Sequence, residues 1–164
     1  MNSTLLMTAF WIGIGATILM DIWALFLKVG FSIPSLDYAL VGRWMGHGLR
    51  GVFTHKNITQ SSPITGEAII GWTAHYSIGI IFAYGLLLIW GTTWAEHPSL
   101  LPALIVGVAT LVFPFFILQP CFGLGIAASR LAHPHLARLK SVATHTVFGI
   151  GLYLSGLLMT KLLS

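Results

Sequence analysis

The stretch LLMTAFWIGIGATILMDIWALFL, residues 5–27, decides the class of this protein. Apart from Asp21 it carries no acidic, basic or histidine side chain. A membrane-spanning helix needs about 20 mostly apolar residues, because each residue advances the helix by about 1.5 Å and the hydrocarbon core is about 30 Å thick. Residues 5–27 therefore predict a transmembrane helix with one carboxyl group inside it.

The composition of the whole chain agrees with a membrane location. Of its 164 residues, 7% are charged and 56% are hydrophobic, whereas soluble domains contain about 25% charged residues. The mean hydropathy is +0.88. So few charges cannot give a soluble fold its polar surface, which excludes a soluble enzyme and a disordered chain. Cys121 is the single cysteine, so a secreted domain held by internal disulfides is excluded as well.

Three further segments meet the same requirement of length and hydropathy. We expect Pro114 and Pro120 to kink or end the third helix, because proline removes a backbone hydrogen bond. The expected fold is an all-α membrane protein, a four-transmembrane-helix bundle that forms a single domain over residues 1–164. The predicted spans are residues 5–27, 69–90, 100–118 and 141–163, with long loops over 28–68 and 119–140 and a short loop over 91–99.

The basic residues are divided unevenly between the two sides of this bundle. Seven of them occupy or flank the two long loops, namely Lys28, Arg43, Arg50, Lys56, Arg130, Arg138 and Lys140. The opposite side holds only Lys161. Because cytoplasmic loops are enriched in Lys and Arg, we expect both long loops in the cytoplasm and both termini outside it. This asymmetry explains the net positive charge without nucleic acid as a partner, and the lipid bilayer is the expected partner instead.

The first long loop is predicted to contain a short helix that lies on the cytoplasmic membrane surface. Ser35, directly after Pro34, is the expected N-cap of this helix. Apolar and aromatic side chains beside Arg43 are typical of an interfacial helix. The residues that recur at helical spacing are Leu36, Leu40, Trp44 and His47.

Three of the predicted spans carry an ionisable side chain within a row of small residues at a spacing of four. Such rows let membrane helices approach closely. At about 1.5 Å per residue, Asp21, His75 and His145 each lie about 6–12 Å from the cytoplasmic end of their span. We therefore expect the three side chains to meet just inside the cytoplasmic face. The rows are Gly13, Thr17 and Asp21 in the first span, Gly71, His75, Gly79 and Ala83 in the second, and Ser141, His145 and Gly149 in the fourth.

An ionised aspartate at membrane depth costs about 2.5–3.5 kcal/mol on insertion scales, so Asp21 should have a partner. The expected partners are His75, His145 or Arg43. His55 is predicted on the same side of the membrane as this group. Ionisable residues inside a membrane are functional-site hypotheses by default. The predicted ligand-binding or proton-binding residues are Asp21, His75, His145, Arg43, His47, Glu67 and Gln119.

Three interpretations of this polar set remain open. In the first, it binds or transports a small ligand or ion in a proton-linked manner, since Asp and His at membrane depth suit proton relays. Arg43 would then favour a small anionic ligand, and a homo-oligomer is expected because four helices are few for a carrier. In the second, His75 and His145 bind haem, or with Asp21 hold a divalent metal, in a redox protein or enzyme. In the third, the polar residues only pack the helices of a structural or accessory subunit.

Several motifs give the chain a family resemblance that extends over nearly its whole length. The motifs are Gly15-Ala16-Thr17 with Met20-Asp21, Pro34-Ser35-Leu36-Asp37-Tyr38, Val41-Gly42-Arg43-Trp44-Met45-Gly46-His47, Gly71-Trp72 with His75-Tyr76, Pro114 with Gln119-Pro120, and His145 with Phe148-Gly149-Ile150-Gly151-Leu152-Tyr153. With these motifs the chain resembles an uncharacterised bacterial family of small four-helix integral membrane proteins, a domain of unknown function. The resemblance implies a multi-pass protein of the bacterial inner membrane, and it implies no site residues.

Overall fold

The computed structural model describes residues 3–163, and every regular element in that range is helical. Four segments are long and apolar enough to cross a membrane, namely Thr4–Phe31, Glu67–Glu96, Leu100–Cys121 and Pro134–Leu162. The prediction of an all-α membrane protein with four spans is confirmed. The helices are α1 (Ser3–Phe31), α2 (Tyr38–Gly48), α3 (Glu67–Glu96), α4 (Leu100–Ala109), α5 (Gln119–Cys121) and α6 (Pro134–Leu163), with 3₁₀ turns at Ile58–Gln60 and Ile126–Ala128 and a π-helical turn at Pro114–Leu118.

The third span is interrupted at both prolines, as predicted. Helix α4 ends at Ala109, and Pro114 opens the π-helical turn that follows. Pro120 lies in the short helix α5, which ends one residue later at Cys121. Proline has no N–H to donate, so the regular α-helical hydrogen bonds cannot continue through either position.

Three helices are longer than their hydropathy predicted, and α1 runs over Ser3–Phe31 rather than residues 5–27. Helix α6 begins at Pro134 rather than at residue 141, because proline is favoured at the first helical position although the turns that follow are polar. Helix α3 continues to Glu96, but Gly91 interrupts it with φ 71° and ψ −167°, one residue after the predicted end of the span. The loops predicted over 91–99 and 119–140 are therefore partly helical.

The contacts divide the chain into two compact units. Unit 1 comprises Met1–Ser35, Tyr76–Thr110 and Ala143–Ser164, and unit 2 comprises Leu36–His75 and Leu111–Val142. Unit 1 thus contains most of the length of the apolar helices. Unit 2 contains α2, α5, the first turns of α3 and α6, and the segments that connect them.

Unit 1 is held together by helices that approach one another at glycines. A methyl group added to Gly13 of α1 would lie 2.5 Å from Cα of Ile80 in α3. One added to Gly107 of α4 would lie 2.6 Å from Cα of Gly149 in α6. Both distances are shorter than contacts between non-bonded carbon atoms, so glycine is required at both helix crossings. The buried core of the unit comprises Ala9, Ile12, Ala16, Ala83, Leu86, Leu87, Trp94, Ala103, Phe148 and Leu152.

In unit 2, helix α2 runs antiparallel along the first turns of α3. Gly71 of α3 lies against the backbone carbonyl of Tyr38, the first residue of α2. One turn later in α2, Gly42 lies against the carbonyl of Glu67, the first residue of α3. The contacts move towards the start of α3 as α2 proceeds, which fixes the antiparallel direction. The glycines are needed because a Cβ at either position would overlap backbone atoms.

The predicted N-cap of this helix is wrong. The cap is Asp37 rather than Ser35, and the Asp37 carboxylate accepts a hydrogen bond of 2.9 Å from the backbone N–H of Ala39. Serine and aspartate are both good caps, but a carboxylate also interacts favourably with the positive end of the helix dipole. Helix α2 therefore begins at Tyr38, which places that side chain in the first helical turn.

Two side chains of the apolar face of α2 pack on protein. Leu40 and Trp44 contact the small core of unit 2, which consists of Val41, Ile58 and Phe122. The Trp44 indole N–H also donates a hydrogen bond of 2.8 Å to the carbonyl of Phe53. The apolar residues of α2 are thus spaced so that they reach a protein core. Periodicity alone cannot distinguish a helix face that packs on protein from one that faces a membrane.

Candidate functional site

Asp21 pairs with a tyrosine inside the membrane-type helices of unit 1. The Tyr76 hydroxyl on α3 donates a hydrogen bond of 2.9 Å to Oδ2 of Asp21 on α1. Both side chains are half-buried. Asp21 lies ten residues before Phe31, the last residue of α1. At about 1.5 Å per residue, its Cα is therefore about 15 Å from that end of the helix. The carboxyl group is therefore well inside the candidate span.

The rows of small residues position this pair. Thr17, one turn before Asp21, is buried, and its hydroxyl donates a hydrogen bond of 2.8 Å to the carbonyl of Gly13. Gly79 of α3 packs directly on the Thr17 hydroxyl. Because α1 and α3 are antiparallel, the next turn along the crossing brings Tyr76 opposite Asp21. The close helix approach is thus what allows a short hydroxyl–carboxylate contact.

His75 lies in an aromatic cluster of unit 2. Its ring stacks on Tyr38, with the ring centroids 4.0 Å apart and the planes inclined by 24°. Trp72, one turn earlier in α3, contacts both rings, at 4.7 Å from Tyr38 and 5.8 Å from His75. Gly71 makes this cluster possible, because it lets the backbone of Tyr38 rest directly on α3. The stack therefore fixes the position of the His75 ring against the first turn of α2.

Arg43 and Glu67 form a two-bond ion pair between α2 and the start of α3. Nε of Arg43 donates to one carboxylate oxygen at 2.9 Å, and Nη2 donates to the other at 2.7 Å. Nη1 donates to the carbonyls of Ile58 and Ser61, at 3.3 and 3.0 Å. The backbone N–H of Ile64 completes the site by donating to Glu67 at 3.0 Å. The hydrogen bond to Glu67 raises the pKa of Arg43 above its ordinary value, so the guanidinium stays charged.

His47 and His55 form a chain of hydrogen bonds that joins three segments of unit 2. Nδ1 of His47 lies 2.8 Å from Nε2 of His55. The outer nitrogen of His47, Nε2, lies 3.0 Å from the carbonyl oxygen of Ser62. The outer nitrogen of His55, Nδ1, lies 3.3 Å from the carbonyl oxygen of Cys121. Both histidines are half-buried.

The last two predicted residues lie in different units. His145 is half-buried in unit 1, where its backbone carbonyl lies at the crossing of α6 with Gly107 of α4. Gln119 lies in unit 2, directly after the π-helical turn. Its Oε1 is buried, and no hydrogen-bond partner for it exists among the residues that the structure describes. An amide oxygen in this state could accept a hydrogen bond from a bound molecule.

In the structure, the predicted residues form several smaller sets of contacts, whereas the sequence analysis treated them as one set. Asp21, His75 and His145 were expected to share one site, and this expectation stays a prediction. The sequence analysis missed Tyr76 as a partner of Asp21 and did not include His55 among the binding residues. With Gly79 placed opposite Thr17, the preceding turn of α3, which contains Tyr76, lies level with Asp21, but Tyr76 is in neither row of small residues, so the rows alone do not single it out.

The alternative interpretation made His75 and His145, with Asp21, the ligands of a haem or a divalent metal. Over residues 3–163, no three His, Cys, Asp or Glu side chains are grouped closely enough to hold a metal ion. The interpretation in which these residues hold a haem or a metal stays a prediction.

Comparison with known proteins agrees with the family resemblance seen in the motifs. No curated protein and no solved structure shows significant similarity to this chain. Residues 10–159 match the family described as "Protein of unknown function (DUF2938)". This match includes all four candidate spans in large part, together with Asp21, Tyr76 and the histidines of unit 2. The chain therefore belongs to the DUF2938 family of unknown function.

Proposed function

We propose that this membrane protein binds or transports a small ion or ligand in a proton-linked manner, with Asp21 as the central residue. The observation that carries this proposal is the hydrogen bond from Tyr76 to Asp21 within the candidate spans. A hydroxyl is neutral, so it orients the carboxylate without supplying a compensating charge of its own. The carboxyl group can then exchange a proton or a cation as part of a cycle, which is the usual role of such groups in membranes.

His75 and His145 belong to this proposal as further protonatable groups, one in each unit. Stacking of His75 on Tyr38 supports this assignment, because it holds the imidazole ring in a fixed position. Gln119 supplies a buried acceptor without a partner among the described residues. That these residues act together with Asp21 rests on the depth calculated for them from the sequence.

Arg43 and Glu67 have a different part in the proposal. A small anionic ligand would have to compete with Glu67, which already binds the guanidinium through two hydrogen bonds. We therefore assign to this ion pair, together with His47, the task of fixing α2 and the following loop against α3. Because Tyr38 is the first residue of α2, fixing α2 against α3 also keeps the Tyr38 ring on His75.

The proposed location is the bacterial inner membrane, with the long loops in the cytoplasm and both termini outside. The seven-to-one division of Lys and Arg supports this orientation. A homo-oligomer is proposed on the ground that four helices enclose little room for a transport path. Large apolar side chains on the outer faces of the helices, such as Ile22, Leu88 and Ile89, are more than half exposed and are available to lipid or to a second copy.

The test is proton movement into vesicles that contain the purified protein. A potassium diffusion potential, negative inside, drives protons inward, and a pH-sensitive dye in the lumen reports them. We expect wild-type vesicles to acidify faster than protein-free vesicles. The Asp21→Asn variant should fall to the protein-free rate, because the amide cannot exchange a proton in this range. Tyr76→Phe should be slower than wild type, because the carboxyl group loses its orienting hydroxyl.

Tyr84→Phe is the matched control. Tyr84 lies on the same helix as Tyr76, and its hydroxyl donates to the backbone carbonyl of Leu6 at 3.0 Å rather than to a carboxylate. Its removal should leave the proton rate unchanged. A wild-type rate equal to that of protein-free vesicles would contradict the proposal, and so would an Asp21→Asn variant as fast as wild type.

A further inference from the structure

The hydrogen bonds of His47 and His55 do not balance if both rings are neutral. A neutral imidazole has one N–H donor and one bare nitrogen acceptor. The outer nitrogens face carbonyl oxygens of Ser62 and Cys121, which can only accept. Both outer nitrogens must therefore carry a proton. Two neutral rings would then direct their bare nitrogens at each other across 2.8 Å, where lone pairs repel.

One additional proton removes this conflict. Placed between Nδ1 of His47 and Nε2 of His55, it converts the repulsive contact into an N–H···N hydrogen bond and leaves both outer bonds intact. We propose that His47 and His55 form a binding site for a single proton, which the two rings share. The site lies in the first loop and stands independently of the one proposed at Asp21, because it follows from a separate set of contacts.

The surroundings of the pair are compatible with one added positive charge. Glu67 interacts electrostatically with His47, and the charge of Glu67 is also shared by Arg43. On the opposite side, the thiol-bearing residue Cys121 contributes its backbone carbonyl. Lys56, next to His55 in the chain, is exposed to solvent and thus strongly screened. The pair therefore faces the carboxylate of Glu67 and the backbone carbonyls of Ser62 and Cys121. The two basic residues nearby are Arg43, which is paired with Glu67, and Lys56.

Release of the proton has a defined structural consequence. One of the three hydrogen bonds must break, and the longest is that from Nδ1 of His55 to the carbonyl of Cys121, at 3.3 Å. The backbone N–H of His55 donates to the same carbonyl at 2.9 Å, so the segments stay connected by one bond instead of two. A proton taken up here would thus tighten the contact of the first loop with the end of the third span.

The experiment is nitrogen-15 NMR of the histidine rings in the full-length, detergent-solubilised protein, recorded from about pH 5 to about pH 8, the range in which histidine titrates. The shared proton predicts a scalar coupling through the hydrogen bond between Nδ1 of His47 and Nε2 of His55. At the lowest pH of this range, where the shared proton is bound, both outer nitrogens should have the chemical shift of a protonated nitrogen. His55→Gln, whose amide donates without an extra proton, should lose the coupling and leave His47 neutral.

Two results would overturn the inference. The first is a through-bond coupling accompanied by an unprotonated outer nitrogen even at the lowest pH, which would describe a neutral pair with one broken carbonyl bond. The second is the absence of any coupling over the whole pH range. His135→Gln is the control, because His135 lies in the first turn of α6 and its replacement should leave the signals of the pair unchanged. The decisive signals come from the wild-type protein, so the test does not depend on the folding of a variant.

Discussion

Gly71 is the position where a single methyl group should separate α2 from α3. A Cβ at residue 71 would lie 2.6 Å from the carbonyl carbon of Tyr38 and 3.1 Å from the backbone nitrogen of Gly42. The carbonyl oxygen of Tyr38 would lie closer still, and ordinary contacts of a Cβ begin at about 3.4 Å, so Gly71→Ala requires α2 to move away by more than about 1 Å. Because the obstacle is backbone on both sides, no side-chain rotation can relieve the overlap.

The cost follows from two opposing effects. Overpacking of this kind costs about 1–3 kcal/mol, while alanine in place of glycine favours a helix by about 1 kcal/mol. We expect a net loss of up to about 2 kcal/mol in the free energy of unfolding. The stack of Tyr38 on His75 should weaken at the same time, since Tyr38 is the residue whose backbone must move.

The assay is reversible unfolding in mixed detergent, followed by tryptophan fluorescence, together with NMR shifts of the His75 ring. Gly85→Ala is the matched control, because Gly85 lies on the same helix and a Cβ there meets nothing within 4 Å. That control should be neutral or slightly stabilised. If Gly71→Ala is as stable as Gly85→Ala and the His75 ring signals stay at their wild-type positions, then the described crossing of α2 and α3 is incorrect.

Two further predictions concern stability. Glu67→Gln should lower the free energy of unfolding by about 1–3 kcal/mol, because it leaves the guanidinium of Arg43, only 12% exposed, without a counter-charge. Glu96→Gln, at an exposed site, should have no measurable effect in the same unfolding assay. Equal costs for the two variants would contradict this assignment. Leu152→Ala should cost about 2–5 kcal/mol, because that side chain is fully buried, whereas Leu154→Ala, at a site 48% exposed, should cost less than about 1 kcal/mol. A Leu152 variant no less stable than the Leu154 variant would show that unit 1 is packed differently.

The four spans could be predicted because a membrane imposes a strong rule on the sequence. Any segment that crosses the hydrocarbon core must be apolar over about 20 residues, and few other structures satisfy that rule. The same rule fails where a helix leaves the apolar region. The polar turns of α6 between Pro134 and residue 141 carry no hydropathy signal, so the helix was predicted to begin too late.

The contacts of the site were harder to predict, for a different reason. Asp21 is easily recognised in the sequence because it is a charged residue in an apolar segment. Its partner Tyr76, by contrast, is a residue type that is common in membrane helices. The pairing depends on the register of two helices, which in turn depends on contacts such as that of Gly79 with Thr17. Likewise, the spacing of Leu40 and Trp44 predicts an apolar face and does not tell whether lipid or protein covers it.

The most direct test of the proposed function compares the initial rates of proton entry into wild-type and Asp21→Asn vesicles at one protein-to-lipid ratio. If Asp21 is the central proton-exchanging group, the wild-type rate exceeds that of protein-free vesicles and the Asp21→Asn rate does not. If the two proteins give equal rates, or if neither exceeds the protein-free rate, Asp21 does not carry protons in this protein.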